Sequence, residues 1–259
     1  MDGAPATAVD LAHPALVNHG AYTSFRAQNG AVRGLNLHLA RLEAASVELF
    51  GEPVGEDRLR DLMRAALADR TDAFMRVSLF SPEITHRAVS WTGRPRVMIG
   101  VFDPPAPLGA DLRVMPAPYI REVPHLKHVA TFGLIRARRA AVRAGFDDAL
   151  FTDFDLRVLE GTLWNVGFVA GGQVVWPEGP KLEGVTQALI AAGLSSVGLT
   201  TSDRSVRLTD LADFDHAFLC NSATPAASIV AVGEHDFPPN PQLIARLTAA
   251  WAFAPEQEI

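Results

Sequence analysis

The first third of the chain mixes a strand-like and a helix-like pattern of apolar positions. Residues 20–35, GAYTSFRAQNGAVRGL, predict a strand, a turn at an Asn-Gly pair and a return strand. Leucines then recur at helical spacing from Leu35 to Leu49, and Gly51 suits the C-terminal cap of that helix. The elements predicted next are a helix over about 57–67 and the strands FMRVSLF and WTGRPRVMIGVF.

The second half of the chain has the same two kinds of pattern. A helix is predicted from Val129 to Ala144, where Gly145 would stop it. The blocks DDALFTDF, RVLEG and WNVGFVAGGQVVWP predict antiparallel strands, with a hairpin turn at Gly171-Gly172. The remaining predictions are a helix that begins at Gly184, a buried strand HAFLCNS and a helix over the last 20 residues.

This order of elements favours an α+β fold in two lobes, because strands pair locally and helices separate the strand blocks. The Pro-rich stretch DPPAPLGADLRVMPAP lies near mid-chain and is the candidate linker. We therefore expect a smaller N-terminal α/β lobe over residues 1–110 and a larger C-terminal lobe over residues 111–259.

Composition excludes several classes of protein. The 259 residues have a formal net charge of −6 and no basic run, so nothing indicates a nucleic-acid partner. The apolar stretches are too short to span a membrane, and the N-terminus lacks the pattern of a secretory signal. The single cysteine, Cys220, leaves no intrachain disulfide and no multi-cysteine zinc site, and we expect no metal. The chain is therefore expected to be cytoplasmic.

Lysine is rare in this sequence. The chain has two lysines, Lys127 and Lys181, and 21 arginines, since Lys and Arg together number 23. Unlike arginine, lysine can lose its proton near neutral pH and attack a carbonyl carbon. Lys127 stands between two histidines in VPHLKHVATFGLIRARR, ahead of a predicted helix. Taken alone, this position also suits an ordinary surface lysine.

The blocks after Lys127 carry a resemblance that favours the chemical role. They are GFDDALFTD, VLEGTLWNVGFV, LEGVTQALI and FLCNSA, in that order. From about Gly20 to Val232 the chain resembles the class IV, or fold-type IV, aminotransferases that use pyridoxal 5'-phosphate (PLP). That family includes branched-chain and D-amino acid aminotransferases and aminodeoxychorismate lyases. The resemblance implies a two-lobed fold with the active site between the lobes, PLP as the cofactor and Lys127 in the larger lobe.

The resemblance assigns the two catalytic roles to Lys127 and Glu160. Lys127 would hold PLP as a Schiff base and then move a proton between the substrate and the cofactor. Glu160, in VLEG, would face the pyridine nitrogen and keep it protonated, so that the ring draws electrons from the substrate.

The remaining cofactor residues would hold the phosphate and the ring. Arg41, in HLARL, matches the phosphate-binding arginine of the family, and His38 lies on the same helix face. Val185 and Thr186 match a phosphate cup at a helix N-terminus. Further cofactor contacts are assigned to Asn165 and to a hydroxyl in NSAT, for which Ser222 and Thr224 both remain open.

Substrate residues are less well marked by the resemblance. Tyr22 occupies the position of an active-site aromatic residue, although a buried strand tyrosine is an equal alternative. His86, Arg94 and Arg96 are candidates for binding a substrate carboxylate and are also ordinary loop residues. Lys181 is expected to be a loop charge.

One departure from the family pattern bears on the reaction. Branched-chain members carry an Asn-Tyr pair four and five residues after the lysine, and this chain has Thr131 and Phe132 there. Phenylalanine has no hydroxyl to donate to the cofactor, so the change fits the D-amino acid aminotransferases and the lyases better.

We therefore expect a PLP-dependent aminotransferase that acts on an amino acid or small amine. Two alternatives stay open: a lyase of the aminodeoxychorismate lyase type, and a PLP-binding protein without turnover. The resemblance also implies a homodimer.

Overall fold

The computed structural model describes every residue, Met1–Ile259, and contains six α-helices and fourteen β-strands. The helices are α1 (Ala8–Leu16), α2 (Leu35–Phe50), α3 (Glu56–Leu67), α4 (Phe132–Arg143), α5 (Val185–Gly193) and α6 (Pro241–Ala252). Two short 3-10 helices cover Leu194–Val197 and Leu208–Asp213. None of the helices combines the length and the apolar character needed to cross a bilayer.

The strands pair both with their neighbours along the chain and with strands that are distant in sequence. They are β1 (Ala21–Gln28), β2 (Ala31–Arg33), β3 (Asp72–Phe80), β4 (Arg96–Phe102), β5 (Leu112–Pro118), β6 (Asp148–Thr152), β7 (Val158–Gly161), β8 (Asn165–Ala170), β9 (Gln173–Pro177), β10 (Thr200–Arg204), β11 (His216–Cys220), β12 (Ala227–Val232), β13 (His235–Asp236) and β14 (Glu256–Glu258). This mixture of elements confirms the α+β expectation.

The chain divides into two compact units. Unit 1 contains Met1–Pro105, Leu126–Ala130 and Glu256–Ile259, and unit 2 contains Ala106–His125 and Thr131–Pro255. The sequence-based division was 1–110 and 111–259, with Lys127 in the second lobe. In the structure the five-residue segment that contains Lys127 packs with unit 1.

Unit 1 is a five-stranded antiparallel sheet in the order β14-β2-β1-β3-β4. Apolar side chains of β1 and β3, such as Phe25 and Met75, pack against Leu39 of α2 and Met63 of α3. Each large side chain buried in this way contributes about 1.5–3 kcal/mol to folding. Because side chains alternate along a strand, the other face of β1 and β3 carries their polar residues.

The end of unit 1 differs from the prediction. The last 20 residues do not form one helix, because α6 ends at Ala252 and Glu256–Glu258 pairs with β2 as β14. Helix α1 was also not predicted. It begins at Thr7, whose side chain accepts a hydrogen bond from the Asp10 backbone N–H in a capping box.

Unit 2 is built on a nine-stranded sheet in the order β10-β9-β8-β11-β12-β5-β6-β7, with β13 paired to β12. The expectation of antiparallel strands holds for β6–β7 and β8–β9, whereas β5 pairs in parallel with β6 and β12 and β9 pairs in parallel with β10. The candidate linker is wrong in its second half, because Leu112–Pro118 forms β5 inside this sheet.

Helix α4 links the parallel strands β5 and β6 and packs on them through Leu134 and Ala141. It starts at Phe132, three residues later than predicted, and ends near Gly145, which has a φ of +85° as expected for a stop. Strand β6 is buried along its whole length, so its apolar run is explained by cover on both faces.

Candidate active site

The segment that contains Lys127 is fixed to the edge of β1. The backbone N–H of Tyr22 donates to the Lys127 carbonyl at 2.9 Å, and the N–H of Val129 donates to the Gly20 carbonyl at 3.0 Å. Leu126, next in the chain, is buried with Ala21. The lysine backbone is therefore held on both sides, and its half-buried side chain projects from a fixed point.

Two cationic side chains lie near the ring of Tyr22. Lys127 Nζ is 5.0 Å from the ring centroid, and the guanidinium carbon of Arg76 is 3.6 Å from the same centroid. Both distances are within the range of cation–π attraction. Tyr22 is buried, so the ring itself is held in place by its surroundings.

His38, on α2 of unit 1, is a buried histidine. His38 Nδ1 and the Thr23 hydroxyl are joined by a hydrogen bond of 2.6 Å. Burial and, to a smaller extent, the charges of Arg41 and Lys127 together lower the pKa of His38 to about 3. His38 is therefore a neutral side chain near two cations, and Thr23, which was not singled out from sequence, holds its ring.

Glu160 lies in a buried, polar position on β7 of unit 2. Its Oε1 accepts a hydrogen bond from the Leu182 backbone N–H at 3.2 Å and lies 3.6 Å from Arg121 Nε. Both charged side chains are 5% exposed. A buried carboxylate of this kind stays ionised only where cations and N–H donors compensate its lost hydration. Arg121 was not named from the sequence, because no motif or predicted element includes it.

Asn165 is the first residue of β8, and it also binds Leu182, the residue whose backbone N–H donates to Glu160. Its Nδ2 donates to the Leu182 carbonyl at 2.8 Å. A Cβ on Gly184 would overlap Asn165 Oδ1, so only glycine fits there. Leu182 is thus fixed by Glu160 through its N–H and by Asn165 through its carbonyl, and the chain enters α5 at a defined position.

The N-terminus of α5 is buried and has no side-chain cap. Gly184 is the N-cap residue, and no side chain accepts a hydrogen bond from the first turn. Val185 and Thr186 are buried. The first N–H groups of a helix have no partner within it, so this end offers donors and a positive dipole to an anion.

The two open hydroxyls of NSAT differ in their contacts. Thr224 Oγ1 accepts a hydrogen bond from the Leu108 backbone N–H at 2.8 Å, and Thr224 is buried in a turn closed by Asn221. Ser222 is half-buried, and its hydroxyl makes no hydrogen bond within the chain. The Thr224 hydroxyl is therefore committed to the fold as an acceptor, and the Ser222 hydroxyl is not.

A buried carboxylate holds the turn between β7 and β8, which connects Glu160 to Asn165. Asp148 accepts hydrogen bonds from the Thr162 hydroxyl at 2.7 Å and from Trp164 Nε1 at 3.0 Å. Asp148 is 1% exposed, so these donors compensate a charge that water does not reach.

The candidate carboxylate-binding residues lie elsewhere in unit 1. His86 and Arg94 are exposed in the connection between β3 and β4. Arg96 donates to Asp2 at 2.8 Å and to Asp10 at 2.8 Å, so its charge is already paired. Their role in substrate binding stays a prediction, and Arg76 is the arginine that the structure brings to Tyr22 and Lys127.

Two further residues named from the sequence belong to unit 2. Lys181, expected to be a loop charge, has a side chain that is 7% exposed and lies 3.3 Å from Glu183. Phe132 is the first residue of α4 and is 78% exposed.

Each unit contains residues whose chemistry is suitable for binding PLP. Unit 2 offers a buried helix N-terminus without a side-chain cap, which suits a phosphate, and a buried carboxylate suited to a pyridinium nitrogen. Unit 1 offers a lysine held at its backbone beside an aromatic ring, and Arg41 as a further cation near His38.

The family model for class IV amino-transferases matches residues 20–232 of this chain. The chain therefore belongs to the class IV aminotransferase family, and the protein is an enzyme with the fold of the fold-type IV PLP enzymes. Enzymes of this family depend on PLP.

Individual relatives are named as branched-chain aminotransferases. A "Probable branched-chain-amino-acid aminotransferase" from Rickettsia bellii is 23% identical over 240 residues, which cover 88% of this chain and 82% of that protein. The protein of the same name from Synechocystis sp. is 35% identical over 89 residues, which cover 34% of this chain and only 29% of that protein.

The similar solved structures include both a lyase and a transaminase. The crystal structure of 4-amino-4-deoxychorismate lyase from Pseudomonas aeruginosa is similar with a TM-score of 0.82 and 25% identity, over 96% of each chain. A fold IV-transaminase from Curtobacterium pusillum is similar with a TM-score of 0.77 and 25% identity, over 96% of this chain and 91% of that chain.

Proposed function

We propose that this enzyme is a PLP-dependent aminotransferase that transfers the amino group of an amino acid or small amine, with Lys127 as the catalytic lysine. The observation that carries the proposal is the position of Lys127: its backbone is fixed to β1 and its amine lies 5.0 Å from the Tyr22 ring. The other lysine of the chain, Lys181, lies 3.3 Å from Glu183.

PLP, when bound, supplies an electron sink for negative charge at the substrate carbon that bears the amine. The protein's own groups do the rest. Lys127 Nζ would attach to the cofactor and would be released when the substrate amine takes its place. The freed amine would then move a proton from the substrate carbon to the cofactor. Tyr22 limits the movement of that amine by cation–π attraction.

Glu160 would hold a proton at the pyridine nitrogen. Its carboxylate is fixed by the Leu182 N–H and charge-balanced by Arg121, so it keeps one oxygen orientation without help from water. Arg121 acts here as a positioning residue. Its positive charge, 3.6 Å from Glu160, favours the charged carboxylate that the proposed role requires.

The phosphate would be bound by the N-terminus of α5 together with Arg41. Val185 and Thr186 supply backbone N–H groups, and Thr186 adds a hydroxyl. Ser222 is preferred over Thr224 for the second hydroxyl, because Thr224 already accepts from Leu108. Asn165 acts on this site by fixing Leu182 and packing on Gly184.

A donor and acceptor experiment tests the proposal. Purified protein loaded with PLP should convert a panel of amino acids and amines to carbonyl products only in proportion to an added keto acid, which gains the amino group. The loaded Lys127→Arg variant should give no product, because guanidinium does not attack carbonyl carbon under these conditions. Turnover by Lys127→Arg equal to that of wild type would refute the proposal.

A lyase of the aminodeoxychorismate lyase type is the second candidate. The similarity to the Pseudomonas aeruginosa lyase structure and the presence of Phe132 in place of tyrosine support it. Both reactions would use Lys127 and Glu160, since the pocket selects which bond breaks. Product formed without any keto acid acceptor, with stoichiometric release of a cleaved fragment, would favour the lyase.

The enzyme is also proposed to act as a homodimer. Helix α4 exposes apolar side chains that a solitary subunit would leave in water, at Phe132, Ile135 and Val142. Light scattering should give twice the mass of the 27.8 kDa chain. Ile135→Glu should shift the protein toward monomer, whereas Val89→Glu, at another exposed apolar site, should not. A wild-type monomer that turns over substrate would refute the dimer.

A further inference from the structure

The side chain of Gln187, in the first turn of α5, is buried without a hydrogen bond. Gln187 is the third residue of α5 and is 6% exposed. Its amide oxygen Oε1 is shielded from solvent and has no hydrogen-bond partner within the chain. A buried polar group without a partner destabilises the folded state, so such groups are rare and require an explanation.

The Gln187 amide lies at the N-terminal end of α5. A Cβ built on the N-cap residue, Gly184, would lie 3.6 Å from the Cβ of Gln187. Since Cα–Cβ bonds in a helix tilt toward its N-terminus, the Gln187 side chain extends over the first turn, beside the backbone N–H groups of Val185 and Thr186. An uncapped helix end and an unpartnered buried amide, which are two independent features, are therefore found at the same place.

Gln187 does not have the structural role that is usual for a glutamine at this position. The third residue of a helix is where a Glu or Gln side chain reaches back and accepts from the N-cap backbone N–H in a capping box. Gln187 Oε1 makes no such bond, and Gly184 has no side chain to complete the box. An apolar side chain of similar size would fill the same space without leaving a hydrogen bond unmade, so the fold alone gives no reason for an amide here.

An anion is a suitable partner for this amide. Rotation of the terminal amide by half a turn exchanges its oxygen and nitrogen, so that an N–H donor takes the buried position. The backbone N–H groups of α5 and the Gln187 side chain then all donate toward the same place. The positive end of the helix dipole favours negative charge there, and hydrogen bonds to a charged acceptor are the stronger kind.

We propose that Gln187 is a further cofactor-binding residue, whose side-chain amide donates a hydrogen bond to the phosphate of PLP at the N-terminus of α5. This inference rests on the proposed function, since the proposed function places the phosphate at this helix end. It explains why the chain keeps a polar group that burial disfavours: the bound phosphate stabilises the amide, and the fold does not. Because glutamine is neutral, it adds a donor without adding a charge.

The test separates the phosphate from the rest of the cofactor. Equilibrium dialysis gives the Kd of PLP and the Kd of pyridoxal, which lacks the phosphate. The proteins are wild type, Gln187→Leu, Gln187→Glu and the control Gln242→Leu, in which an exposed glutamine in the first turn of α6 undergoes the same change. Denaturant unfolding of each protein without PLP measures the effect of each substitution on the fold alone.

Gln187→Leu should weaken PLP binding by roughly 10- to 100-fold, the effect of losing one hydrogen bond to a charged group, and should leave the Kd of pyridoxal within twofold of wild type. Gln187→Glu should weaken PLP binding more than Gln187→Leu does, because it adds a like charge beside the phosphate. Without PLP, Gln187→Leu should unfold at the same denaturant concentration as wild type or a higher one, since an unpartnered polar group has been removed. Gln242→Leu should match wild type in every assay.

The inference is wrong if Gln187→Leu binds PLP within twofold of wild type, or if it loses as much affinity for pyridoxal as for PLP. Unfolding of PLP-free Gln187→Leu at a clearly lower denaturant concentration would also overturn it, because the amide would then serve the fold through a buried water. A wild type that binds PLP no more tightly than pyridoxal would overturn the phosphate site of the proposed function together with this inference. A wild type that prefers PLP, with an unchanged Gln187→Leu, would overturn the inference alone.

Discussion

Replacing Glu160 by glutamine removes one charge from a buried pair and keeps most of its shape. The amide oxygen can still accept the Leu182 N–H that Glu160 accepts at 3.2 Å. The attraction to Arg121, whose Nε lies 3.6 Å away, is lost, and Arg121 stays buried at 5% exposure. Breaking a buried pair by removing one partner costs about 3–5 kcal/mol. Because the Leu182 contact survives, we expect the lower end, about 3 kcal/mol.

Two assays separate the structural effect of Glu160→Gln from the chemical one. Denaturant unfolding should show the loss of about 3 kcal/mol, and the double variant Glu160→Gln with Arg121→Met should recover part of it, since no buried charge then remains unpaired. Single-turnover rates at saturating PLP should fall about a hundredfold, which corresponds to roughly 3 kcal/mol of transition-state stabilisation.

The matched control is Glu178→Gln, because Glu178 is exposed and lies on the same stretch of chain, ahead of the segment that leads into α5. It should leave both the unfolding free energy and the rate close to wild type. A Glu160→Gln protein that unfolds and reacts like this control would refute the reasoning for Glu160. An unchanged rate with lowered stability would limit Glu160 to a structural role.

Three further predictions concern single side chains. The pKa of His38 is lowered to about 3 in the folded protein, whereas the unfolded chain binds this proton below a pH of about 6.5. The free energy of unfolding should therefore rise with pH between these values, by up to about 1.4 kcal/mol per pH unit more in wild type than in His38→Asn. Parallel slopes of the two proteins in denaturant titrations would contradict this. Gly184→Ala should displace Asn165 and weaken PLP binding by about tenfold in equilibrium dialysis. The control Gly109→Ala, where an added Cβ meets no atom, should bind PLP like wild type. Equal PLP affinities of the two variants would refute the role of Gly184. Arg41→Ala should weaken PLP binding by roughly 10- to 100-fold and Arg41→Lys by less, whereas an unchanged dialysis result would exclude a phosphate contact.

The sequence was informative where one local pattern decides the structure. The leucine spacing of α2 with Gly51 as its cap, and the start of α5 after Gly184, depend on residues that are neighbours in the chain. The expectation failed where distant residues decide: β14 is three residues long and exists because it pairs with β2. Strand β5 was interpreted as linker because its prolines obscure the pattern, and its pairing with β6 and β12 overrides local preference.

The candidate site also contains residues that local motifs identify and residues that only the folded structure identifies. Lys127, Glu160 and Thr186 were named from ordered local motifs, and their roles stay predictions. Arg121 and Arg76 were not named, because their contacts with Glu160 and Tyr22 depend on tertiary packing and on strand register. A signal for Arg76 was present: it alternates with Met75 and Val77 in a strand, so it had to lie on the face away from the core.

The proposed function is tested most directly by identifying the residue that holds the cofactor. Protein loaded with PLP is reduced with borohydride, digested and mapped by mass spectrometry. With only two lysines in the chain, the outcome is unambiguous. We expect one pyridoxyl group per chain, on Lys127, and none in the Lys127→Arg variant. A pyridoxyl group on Lys181, or no covalent label in protein that has bound PLP, would contradict it.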